Sequence, residues 1–146
     1  MSVPISARAL QPQDFEFVHG TCDPSSHTAE GPLGADLTKR QSRFYCDLAI
    51  ITFFPDYKGH VMVQFTQKEA HHTPILGFAG RVDDAGILMN LDHVYLVPGQ
   101  STTVSAGWCK FFFRNHHMSG IFCGMAVDET GRRTTASVVF DPTPGQ

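Results

Sequence analysis

Apolar and polar positions alternate along this chain in eight strand-like runs, at 15–22, 42–54, 60–68, 75–83, 87–97, 102–114, 118–128 and 132–140. The runs are rich in Val, Ile, Phe, Thr and Tyr, the residues that suit a pleated, half-buried surface. The breaks between them carry Pro55, Gly59, Gly86, Pro98, Gly99, Asn115 and Gly131, residue types that tight turns ask for. No stretch sustains a helical period over roughly eleven residues. Connectors this short leave no room for crossover helices, so the pattern predicts an all-β, eight-stranded antiparallel meander. An open sheet of that size would leave both edges bare; closure into a barrel removes them and is the expected arrangement, with a two-sheet sandwich as the alternative. One domain, 1–146, is expected, with an N-terminal arm at 1–14, a long loop or lid at 23–41 and a C-terminal tail at 141–146. The stretch 23–41, rich in Pro, Ser, Gly and Thr, is long for a structureless connection, and such loops commonly cover binding sites.

The run 87–97 is the centre of the reading. With period two, Met89, Leu91, His93 and Tyr95 share one face, and Asn90, Asp92 and Val94 the other. An even loop at residues 84–86 would put Leu76, Phe78, Gly80 and Val82 on the same face as Met89 and Leu91. A three-residue turn at 115–117 would set Cys109 opposite Cys123 and Phe111 opposite Ile121. A two-residue turn at Thr130 and Gly131 would set Val127, Met125, Cys123 and Ile121 opposite Thr134, Ala136, Val138 and Phe140. The turn before Thr102 leaves two parities open, one with Cys109 inward and the other with Val104, Ala106, Trp108 and Phe112 inward. The interior expected from these registers is apolar, lined by Phe65, Phe78, Met89, Leu91, Phe111 and Met125, with the polar tips of His93 and Tyr95.

The order of elements from Phe15 to Phe140, one strand, a long loop and then seven strands on short turns, resembles the calycin architecture of lipocalins. The resemblance implies a cup whose first loop partly caps its mouth. Where lipocalins carry Gly-x-Trp near the first strand this chain has Gly20-Thr21-Cys22, and its single tryptophan is Trp108.

Composition narrows the function. A chain of 146 residues buries enough surface to fold without a disulfide or metal staple. Charged residues are 17%, below the usual quarter or so, which suggests strands covered on both faces or by a second copy. Aromatic and branched residues fall on both faces of the runs at 48–54 and 111–113, so a homodimer on the outer face is expected. The net charge of −3 and the lack of a basic stripe argue against nucleic acid; Lys39, Arg40 and Arg43 are the densest basic group. No apolar run approaches the roughly 18 residues of a membrane span, and Pro4 and Arg8 interrupt the N-terminal stretch. The four cysteines show no Cys-x-x-Cys spacing and read as reduced thiols in a cytoplasmic protein.

Candidate chemistry is sparse. His93 and Tyr95 form a candidate catalytic pair, an imidazole able to move a proton beside a phenol able to hold an oxyanion. A single histidine on an apolar strand face is more often a hydrogen-bonded core residue. Asp92 alternates to the other face and would not orient the ring. The adjacent pairs His71-His72 and His116-His117 project to opposite faces and are poor chelates, so no metal is expected. Cys109 and Cys123, opposed across a hairpin, read as small inert hydrophobes rather than a bonded or redox pair. With no phosphate loop, nucleophile elbow or paired carboxylates, no cofactor is expected. The function expected is binding of an apolar or aromatic small molecule inside the barrel. The alternative is an isomerase, cyclase or lyase using the same cavity, with His93 as acid/base.

Overall fold

The eight alternating runs become the staves of a closed antiparallel barrel in a computed structural model that describes residues 15–54, 59–66, 76–97 and 100–143. Its strands are β1 (Phe15–Cys22), β2 (His27–Pro32), β3 (Ser42–Arg43), β4 (Leu48–Phe53), β5 (His60–Thr66) and β6 (Leu76–Val82). They continue through β7 (Leu88–Val97), β8 (Gln100–Thr103), β9 (Ala106–Arg114), β10 (His117–Glu129) and β11 (Arg132–Pro142). The sheet runs in chain order from β4 to β7 and from β9 to β11, and β1 pairs with both β4 and β11 to close the circle. Two staves are broken strands. β1 and β2 lie in line along β11, and β8 and β9 lie in line along β7.

The loop expected at 23–41 is corrected. β2 occupies 27–32, a 3₁₀ helix spans Leu37–Arg40, and β3 follows, pairing with β2 through Ser42 opposite Thr28. The break between β1 and β2 is pinned to β11 by Ser26, which is wholly buried. Ser26 Oγ donates to the Val139 carbonyl at 3.3 Å and accepts from the Val139 amide at 3.0 Å, so its hydroxyl is satisfied. Asp23 accepts from the amide and hydroxyl of Ser25 and holds the same turn. The expected tail is shortened as well, because Asp141 and Pro142 belong to β11. The arm at 1–14 lies outside the described residues.

Strand burial follows the two-residue period. In β4 and β5, and over 121–127 of β10, every second residue is buried, and the buried set faces the lumen. The hairpin registers are those expected: Cys109 opposite Cys123, Phe111 opposite Ile121, Val127 opposite Thr134 and Ile121 opposite Phe140. The β9–β10 turn reaches its register by another route. Arg114 pairs with His117, so the turn has two residues, Asn115 and His116, both with positive φ, and an extra residue at Ser119 restores the predicted pairing. The open parity at 102–114 resolves with Cys109 and Phe111 inward and Trp108 and Phe112 outward.

The lumen is filled by side chains. Phe65 packs against Phe78 and Phe140 with ring centroids 5.9 and 5.7 Å apart, and all three are buried. The reading of the cysteines as reduced and inert is corrected, because Cys22 bonds Cys46 and Cys109 bonds Cys123. The register that brings Cys109 and Cys123 face to face leaves their Cα atoms 4.0 Å apart. In the chain-entropy account, loops of this length give each bridge roughly 3 kcal/mol.

Candidate functional site

The central strand does not keep a single period. Ala79 pairs with His93 and Gly80 with Leu91, so Asp92 is an extra residue, a β-bulge. The bulge lies where the neighbouring stave is broken between β8 and β9, and the Asp92 carbonyl accepts from the Val104 amide in that break at 3.1 Å. Inserting one residue exchanges the two faces downstream. Met89 and Leu91 face the lumen before the bulge and Val94 faces it after, all buried.

His93 and Tyr95 therefore lie on the outer face, which corrects the expectation that they project inward. The His93 side chain is 45% exposed. Tyr95 leans over Gly77, whose Cβ, if it had one, would stand 3.2 Å from that of Tyr95. Asp92, expected on the face opposite His93, bonds it: His93 Nδ1–H donates to Asp92 Oδ1 at 2.8 Å, since a carboxylate only accepts. His60 Nε2 lies 3.9 Å from the other carboxylate oxygen. This His–Asp–His row is a solvated surface feature, separated from the lumen by the sheet. Among the described residues no group of three His, Cys, Asp or Glu side chains is placed to hold a metal ion. His71 and His72 lie outside the described residues, and His116 and His117 are exposed.

The six residues expected to line the interior, Phe65, Phe78, Met89, Leu91, Phe111 and Met125, are all brought inside and buried. They form the packed middle of the lumen. A cavity of about 280 Å³ opens above them, at the end where β2 leaves β1. One wall is Leu76 and Leu96, from β6 and β7; the other is Thr28, Glu30 and Thr134, from β2 and β11, with Arg40 and Ser42 beside them. Those strand pairs are opposite staves, so the cavity crosses the mouth of the barrel. A hollow of about 610 Å³ at the other end is larger, but Ile87, Lys110, Asn115 and His116 line it along a single hairpin and its neighbour. Its described lining therefore comes from neighbouring strands of one wall.

Polar groups concentrate at the mouth. Glu30 Oε2 lies 3.4 Å from Arg132 Nη2 across β2 and β11. The 3₁₀ helix that carries Arg40 is capped by Asp36, whose Oδ1 accepts from the Thr38 hydroxyl at 2.7 Å and the Thr38 amide at 3.0 Å, and these bonds, the hydroxyl's first, hold the Asp36 carboxyl below its ordinary range. Thr28, Glu30 and Leu96 were not singled out in the sequence, and Leu76 and Thr134 entered only as inward register positions. The available signal was the basic group Lys39, Arg40 and Arg43 inside a supposed loop.

No helix among the described residues is long and apolar enough to cross a membrane. Compared with protein-family models, curated proteins and solved structures, the chain matches none.

Proposed function

We propose that the protein binds a small, mainly apolar molecule at the mouth of the barrel, above a lumen that serves as packed scaffold. The observation that carries this reading is the cavity spanning opposite staves, with leucines on one wall and hydroxyl and charged groups on the other. That make-up, apolar surface with a few placed polar groups, is what small-molecule sites use. It moves the expected ligand from the middle of the barrel to its rim and removes His93 and Tyr95 from its surroundings. The two disulfides support an oxidising compartment in place of the cytoplasmic setting inferred from free thiols.

A second copy is proposed to cover the outer face of β9 and β10. Trp108 and Phe112 are 43% and 42% exposed there, and the Trp108 ring stands 5.1 Å from that of Phe122. Native mass spectrometry of the purified protein tests both proposals in one measurement. A copurified small molecule that disappears in Leu96→Trp, which fills the cavity, is expected on a dimeric species. A ligand retained by Leu96→Trp would contradict the mouth site, and a monomer at micromolar concentration would contradict the pairing.

A further inference from the structure

We infer that Arg40 makes the mouth selective for an amphiphile bearing a carboxylate, an inference that rests on the mouth-binding reading above. Arg40 stands in the last turn of the 3₁₀ helix and lines the cavity that Leu76 and Leu96 close on the far side. Its stem crosses β2 at Gly31, on the face opposite Thr28 and Glu30, where a Cβ would lie 2.9 Å from Arg40 Cδ and 3.1 Å from Nε, so the glycine makes room for the stem.

Of the described residues that line the cavity, Arg40 is the one cation. Glu30 already has Arg132 as its partner, whereas Arg40 has no carboxylate partner among the described residues. A guanidinium is charged at every working pH, and its planar fork matches the two oxygens of a carboxylate. The hydroxyls of Thr28, Ser42 and Thr134 share the cavity and can donate to the same anion. Among the described residues, an ammonium head group would meet Arg40, with Arg132 beyond it, and the Glu30 carboxylate that is already paired. The leucine wall takes the hydrocarbon end, so the arrangement selects a molecule with an acid at one end and an apolar body at the other.

The test is a titration of the intact, disulfide-bonded protein with octanoate, octan-1-ol and octylamine, followed by amide shifts in ¹H–¹⁵N spectra. The expected result is octanoate binding about tenfold more tightly than octanol, the range of a partly screened charge-assisted hydrogen bond. Amides of 28–30, 40–42, 96 and 134 should move. Arg40→Gln should erase that preference while leaving octanol binding and the rest of the spectrum unchanged, and Arg40→Lys should restore part of it. Octanoate and octanol binding equally well, or octylamine binding best, would overturn the role of Arg40 and leave the mouth site standing. If none of the three moves the mouth amides, the site itself fails, and the inference with it.

Discussion

Gly80 shows how one position decides where the candidate chemistry ends up. It sits beside the bulge, where β6 and β7 approach so closely that a Cβ on Gly80 would overlap the Asn90 carbonyl oxygen and stand 2.8 Å from Leu91 Cα. Both of those atoms are backbone and cannot rotate away. Gly80→Ala must therefore part the two strands or expel the bulge, and is expected to cost about 1–3 kcal/mol as overpacking does, read from the urea midpoint. Loss of the bulge would also turn His93 back toward the lumen, so the variant should show a change in the His93 ring resonances. The bulge was hard to read because the run 87–97 carries apolar residues on both parities. A signal is nevertheless present. The inward apolar set is Met89 and Leu91 and then Val94, a change of parity across the polar pair Asp92-His93. A strict two-residue period carried through that pair sends both candidate catalytic groups to the wrong side.

The hairpins were the most legible elements, because turn length and alternation each fix register and the two agree. That is why the pairings of Cys109 with Cys123 and Val127 with Thr134 could be written down from the residues alone. The β9–β10 hairpin reaches the same register through a two-residue turn and a bulge, which periodicity does not separate from a three-residue turn. The turn has positive φ at Asn115 (50°) and His116 (66°), the primed geometry that matches strand twist. Asparagine tolerates that region; histidine does so less well than glycine. His116→Gly is thus expected to stabilise the protein by about 0.5–1 kcal/mol, seen as a higher thermal midpoint with no change in the spectrum of the lumen. The mouth was the least legible part. β2 reads His-Thr-Ala-Glu-Gly-Pro, and its inward positions are Thr28 and Glu30, because a rim strand faces water rather than core. Without apolar alternation the segment looks like a loop, and the cavity built on it stays hidden.

Across the barrel, acid is expected to act mainly through carboxylates that hold turns and strand ends. The side chain of Ser25 keeps the Asp23 carboxyl below its ordinary value of 3.8, that of Thr38 does the same for Asp36, and the Arg133 guanidinium does so for Asp128. Arg133 grips Asp128 through two bonds, of 2.6 and 2.8 Å. For each of these groups the unfolded chain takes up a proton at a higher pH than the native one. Their contribution to stability is therefore complete above about pH 4 and is lost as the pH falls through the lowered native values. Glu16 works in the opposite sense. Burial raises its carboxyl above 4.5, so it opposes folding at neutral pH and that opposition fades on acidification. Three groups against one leave a net loss in acid. The thermal midpoint should be flat from pH 7 to about pH 5 and fall from about pH 4 downward. Asp128→Asn should shallow that fall, because the asparagine no longer exchanges a proton, while Glu16→Gln should raise the midpoint at pH 7 and steepen the fall. Melts followed by circular dichroism from pH 2 to pH 7 measure all three proteins, and a midpoint that holds steady down to pH 2 would mean that these carboxylates are as well solvated in the unfolded chain as they are bonded in the barrel.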